Sequence, residues 1–173
     1  MSSTVSRVVV GVNGSKDSLA ALRKGAEEAR RHHAEFQPVI AYSSTQGDYI
    51  DLRWPPEGAM ARQLHDTAYV KLIDACERAL GGLPHDLDCS PTAALGPVGP
   101  LLVDAARGEG TLLVLGNGSP SVVHRILKGS VSRYCVRHCN CPVLVVPHQD
   151  PHQDPHQDPY RDPHQDRDLD GRR

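Results

Sequence analysis

Short runs of β-branched and aliphatic residues alternate along the first 147 residues with longer stretches in which apolar positions recur at helical spacing. That pattern predicts βαβ units and a parallel sheet. The run Val8 to Val12 is continuously apolar, as a strand covered on both faces should be. After the turn Asn13-Gly14-Ser15, the residues Leu19, Leu22, Ala26 and Ala29 share one face of a helix. A second strand spans Phe36 to Tyr42, with Pro38 near its start, where a missing N–H is more easily tolerated. Ser43 to Gly58 contains Gly47, Pro55 and Pro56 and reads as a long loop. Met60, Leu64, Ala68, Leu72 and Leu80 then space a second helix, ended by Gly81 and Gly82. A third strand falls within Leu87 to Ala94, interrupted by Asp88, Ser90 and Pro91, and a short helix follows around Pro100 to Arg107. Thr111 to Leu115 is the fourth strand. Gly129-Ser130 opens a last helix with Val131, Cys135 and His138 on one face, and Val143 to Val146 is the fifth strand, closed by Pro147. The expected fold is α/β, a five-stranded parallel sheet with helices on both faces, Rossmann-like, over residues 1–147.

The remaining residues, 148–173, change the picture because they do not share this pattern. Pro147, Pro151, Pro155, Pro159 and Pro163 each open a tetrapeptide, mostly PHQD, and apart from Tyr160 and Leu169 nothing there is apolar. Such a repeat buries too little surface to offset the entropy of ordering and reads as an extended, disordered tail. It also explains why the chain of 173 residues is only 39% hydrophobic, below the usual share for a compact domain. The tail carries seven Asp and four Arg, so the rest of the chain is close to neutral and the whole has a formal charge of -2. No basic field exists to hold nucleic acid or an anionic membrane surface. No apolar run approaches the ~18 residues that span a bilayer, and the opening MSSTVSRVVV lacks a signal peptide's regions. The expectation is a cytoplasmic protein whose five cysteines stay as thiols.

Ligands of open parallel sheets bind beyond the carboxyl ends of the strands, where strand order reverses. Two glycine-bearing loops fall at such ends, Asn13 to Ser15 after the first strand and Gly116 to Ser130 after the fourth. Backbone N–H groups of such turns, with a helix N-terminus, make an anion site, and Gly129-Ser130 with the hydroxyls of Ser130 and Ser132 could hold a phosphate. Equally, the glycines could only make tight turns.

The segments VVVGVNGS, LLVLGNGS and GSVSRYCVRHCNCPVLVVP together resemble the universal stress protein family over residues 5 to 147. In the family's nucleotide-binding members a glycine, two residues, a second glycine, nine residues and Gly-Ser or Gly-Thr surround the nucleotide. Gly116, Asn117, Gly118, Ser119, the nine residues Pro120 to Lys128, and Gly129-Ser130 keep that spacing. Two positions depart from it: Ser119 stands at the second glycine, and Asn13 stands at the usual aspartate, without its charge and its affinity for hard cations. The resemblance implies a non-catalytic, ATP-binding regulator of stress or dormancy, with ATP bound alone or with Mg2+ and read by an unknown protein partner. It implies that Val12, Asn13 and Tyr42 line the adenosine end. Gly116, Gly118 and Ser119 would approach ribose and phosphates, and Gly129, Ser130, Val131 and Ser132 would clamp the phosphates. It also implies a homodimer through the last strand.

Two other readings compete. Asn13 and Ser119 favour a nucleotide-free interaction module of the same fold. The stretch Asn13-Gly14-Ser15-Lys16-Asp17-Ser18 resembles the phosphate loop of ATP pyrophosphatases, which would make the chain an adenylating enzyme. No Ser-His-Asp or paired-carboxylate pattern stands out, so no catalytic residue is predicted. Cys135, His138, Cys139 and Cys141 crowd within seven residues, yet a helix-to-strand transition divides them, and core packing is expected rather than a metal. His148, His152, His156 and His164 in the tail could collect metal only weakly, against the cost of ordering a flexible chain.

Overall fold

The computed structural model describes residues 4–44, 47–117 and 131–147, apart from the side chain of Tyr49. The sheet grows from β1 (Arg7–Val12), whose Val8, Val9 and Val10 are fully buried. Because successive side chains point to opposite faces, the uniform run divides its residues between two cores. Val8, Val10 and Val12 join Leu22, Phe36 and Leu72 on one face, and Val9 joins Val39, Leu102, Leu113 and Cys135 on the other. Continuous hydrophobicity is thus two interleaved periods of two.

The first face is covered by α1 (Lys16–His32) and α3 (Gly58–Leu80), the second by α4 (Val98–Ala105) and α5 (Val131–His138). Leu19, Leu22, Ala26 and Ala29 all turn their shared stripe inward. The strands β2 (Glu35–Tyr42), β3 (Thr92–Leu95), β4 (Thr111–Gly116) and β5 (Val143–Val146) complete a sheet of order β3-β2-β1-β4-β5, parallel throughout. The chain winds outward through β2 and β3, then returns past β1 to β4. Strand order therefore reverses between β1 and β4, and all the carboxyl ends lie along one side.

Four expectations need correction. The stretch from Ser43 to Gly58 contains a helix, α2 (Asp48–Arg53), held by the buried carboxylate of Asp51, which accepts the backbone N–H of Ser44 at 2.6 Å. β3 begins only at Thr92, because Pro91 has no N–H to give; before it, Phe36 and Ser90 donate to the carbonyls of Asp88 and Phe36 at 2.8 and 3.0 Å, and Cys89 makes a lone bridge. Met60 is 59% exposed although it lies on the predicted helical face. α3 has 23 residues and is about 34 Å long, longer than any strand beneath it, so only Ala68, Leu72, Ala75 and Cys76 are buried. In α5 the inward face is Ser132 and Cys135, not Val131, Cys135 and His138; His138 is exposed and stacks on Tyr134 at 4.1 Å. The predicted positions Gly118, Ser119, Gly129 and Ser130, and the repeat after Pro147, lie outside the described residues.

Candidate functional site

The turn after β1 is built by its own polar side chains. Gly14 takes φ 80°, a conformation few other residues adopt. Asn13 Oδ1 accepts the backbone N–H of Ser15 at 3.0 Å, closing an Asx turn. Ser15 then caps α1: its Oγ accepts the N–H of Ser18 at 3.2 Å, while Ser18 Oγ donates to the Ser15 carbonyl at 2.9 Å. Across the reversal, Ser132 Oγ donates to the Gly116 carbonyl at 3.0 Å and fastens the start of α5 to the end of β4. The backbone N–H of Asn117 donates to the Val146 carbonyl at 2.9 Å and ties that exit to β5.

Between these fastenings lies a cavity of about 260 Å³. Gly11, Val39, Leu102 and Leu115 form its apolar depth, and Asn13, Ser15, Asn117 and Ser132 line its polar parts. A Cβ at Gly11 would stand 2.6 Å from Leu115 Cδ2, so the missing side chain keeps the depth open. Of the sequence-predicted positions, Val12, Asn13, Gly116, Val131 and Ser132 come together around this cavity. Tyr42 does not line it. It faces a neighbouring cavity of about 330 Å³ with Leu64, Thr67 and Lys71, and Asn13 borders both. Burial, and after it the charge of Asp66, pushes the Tyr42 phenol above its ordinary range. Sequence reasoning missed Gly11, Val39, Val98, Leu102, Leu115 and Asn117, which as residue types look like ordinary core or turn.

The thiols are packing groups. Cys135 is buried among Val9, Leu102 and Leu113, with Cys139 and Cys141 beside it. Burial, then the neighbouring sulfurs, pushes Cys139 up to about 12, so it stays protonated at neutral pH. Among the described residues, no group of three His, Cys, Asp or Glu is placed to hold a metal ion, and no helix is long and apolar enough to cross a membrane.

The universal stress protein family pattern matches residues 4–147. The chain belongs to the universal stress protein family. It is 29% identical over 149 residues to Universal stress protein Rv2623 of Mycobacterium tuberculosis, covering 83% of this chain and 48% of that protein. It is 27% identical over 143 residues to Universal stress protein Rv2005c of the same organism, with the same coverage. This universal stress protein thus spans about half the length of the curated relatives it matches. Among solved structures it resembles a universal stress protein in complex with cAMP, with TM-score 0.58 and 26% identity, covering 86% of this chain and 100% of that one. UspA from Lactobacillus plantarum, at TM-score 0.59 and 21% identity over 82% of this chain and 97% of that one, shares the fold.

Proposed function

We propose that this universal stress protein binds an adenine nucleotide, ATP alone or with Mg2+, in the cavity between the ends of β1 and β4. In this reading it is not an enzyme but a regulator whose bound nucleotide biases a surface read by a protein partner. The observation that carries the proposal is the cavity itself: an apolar depth with a polar mouth, at the reversal of strand order where such sheets take their ligands. The similarity to a relative in complex with cAMP supports it. Val12, Asn13, Gly116, Val131 and Ser132 would meet the ligand, together with Gly118, Ser119, Gly129 and Ser130 from outside the described residues. The rest of the proposal is a domain over residues 1–147 with the PHQD repeat as an appended tail, a cytoplasmic location, and a homodimer through β5.

Calorimetric titration of the full chain with ATP and Mg2+ tests this, with mass analysis of any nucleotide released on denaturation. Val98 is 42% exposed and lines the cavity, so Val98→Trp fills it without disturbing the core. Micromolar binding in the parent, weaker by roughly tenfold or more in a Val98→Trp protein of unchanged melting temperature, is the expected result. A folded chain that binds no adenine nucleotide would instead favour the nucleotide-free interaction module. That second reading draws on Leu52, Trp54 and Met60, large apolar side chains exposed by 68%, 67% and 59% on α2, its C-cap and the start of α3.

A further inference from the structure

α3 is longer than its own domain needs. Its buried residues, Ala68, Leu72, Ala75 and Cys76, all lie from Ala68 onward, and from Gly58 to Thr67 no residue is buried. A stretch of helix without packing gains little from its own hydrogen bonds. Met60, Gln63, Thr67 and Val70, spaced i, i+3, i+7 and i+10, share the exposed face. Met60 and Val70 are 59% and 66% exposed, and an open groove of about 690 Å³ follows this face from Ala59 to Lys71. The charges beside it alternate along the helix as Glu57, Arg62, Asp66 and Lys71, at separations of five, four and five residues. Among the described residues Glu57, Arg62 and Lys71 form no ion pair, and Asp66 meets the neighbouring His65 ring at 3.3 Å.

We propose that this face of α3 is an interface between two copies of the chain, packed antiparallel about a two-fold axis level with Leu64. A negative, positive, negative, positive series read in the opposite direction is its own complement, and the separations are symmetric about Leu64. In that register Arg62 stands opposite the partner's Asp66 and Lys71 opposite the partner's Glu57, and the symmetry repeats both pairs. Ala59 comes beside the partner's Val70, and Met60 beside the partner's Thr67, which fills the groove. A ligand of one charge sign would leave two of the four charges unmatched; a second copy leaves none. Leu52 and Trp54, exposed on α2 and its C-cap just before α3, add to the apolar surface. With Met60 and Val70 they expose roughly 500 Å² in each copy. Two copies and their charged flanks therefore reach about 1,200 Å², the lower bound for a specific interface. α3 packs on β2 and β3, whereas β5 is the opposite edge of the sheet. The α3 contact is thus compatible with a dimer through β5, and it does not rest on nucleotide binding.

The test is the mass in solution of the full chain, Arg62→Glu, Asp66→Arg and a mixture of the two variants in equal amounts, by sedimentation equilibrium at low salt. Each substitution sets like charges against each other across the two-fold axis, so each variant alone should have half the parent's mass or less. In the mixture, Glu at position 62 of one copy meets Arg at position 66 of the other, and the unaltered Asp66 meets the unaltered Arg62. The mixture is therefore expected to regain the parent's mass, which an ion pair within one helix could not bring about. The result is the same whether the variants fall to a dimer held through β5 or to a monomer. A monomeric parent, a mass that neither substitution lowers, or a mixture that stays dissociated overturns the proposal. Val70→Lys, which places a charge in the groove and leaves the pairs alone, should also halve the mass, and it decides the matter should a charge-reversed variant not fold by circular dichroism.

Discussion

Gly116, the last residue of β4, lies so close to the first turn of α1 that a Cβ there would stand 2.7 Å from the carbonyl carbon and oxygen of Asp17. The contact is with main chain, which no side-chain rotation relieves. It sets the spacing of the two elements that border the cavity from opposite sides of the strand reversal. Gly116→Ala is expected to destabilise the fold by about 1–3 kcal/mol, as overpacking does. The midpoint of urea unfolding should fall with the slope unchanged. An unchanged midpoint would mean that α1 can shift outward freely.

Ser15 carries the cap of α1 through one hydrogen bond, from the Ser18 N–H to its Oγ. Ser15→Ala removes that acceptor and leaves the N–H without a side-chain partner. The expected loss is about 1 kcal/mol, and Ser15→Asp should recover it, since a carboxylate caps the positive end of a helix well. Thermal melts of the three proteins check the order.

A similar close approach joins α4 to α5. A Cβ at Gly99 would lie 2.6 Å from Cδ1 of Tyr134, whose ring also stacks on His138. Gly99→Ala should destabilise, and truncating the ring should relieve it. The double variant Gly99→Ala with Tyr134→Ala is expected to show a favourable coupling of about 1 kcal/mol in a double-mutant cycle. Strict additivity would mean that α5 is free to move away from α4.

Burial, and then the neighbouring Cys89, pushes the Cys76 thiol up to about 11 from its ordinary 9.0. Between those values the folded chain keeps a proton that the unfolded chain has lost. The folded state therefore binds more protons, and its stability falls as pH rises. The stabilisation is complete below pH 9 and disappears as pH passes about 11. The slope attributable to Cys76 is at most about 1.4 kcal/mol per pH unit. Urea midpoints measured from pH 8 to 11 should drop more steeply for the parent than for Cys76→Ala; parallel curves would show that the thiol is not buried in solution.

The strands were legible because burial on both faces forces an unbroken apolar run, as at Val8 to Val10 and Leu112 to Leu115. α1 was legible because its stripe of Leu19, Leu22, Ala26 and Ala29 has a single period. α2 was hidden, since six residues show too little periodicity and its anchor is one buried carboxylate, Asp51, reaching back to Ser44. The candidate site was half legible. Asn13 and Gly116 stand out through turn chemistry at strand ends, whereas Val39 and Leu102 are residue types that any core uses, and nothing local marks them as facing a gap.

By itself the amino-acid sequence determined the alternation of most strands and helices and the inward stripe of α1, because spacing, capping and backbone preference act over a few residues. It also determined the family, through the glycine and serine spacing around the fourth strand and last helix. Only the tertiary structure decided that β4 returns to the other side of β1 and that Tyr42 and Val39 belong to different cavities. Those outcomes depend on packing between residues far apart in the chain.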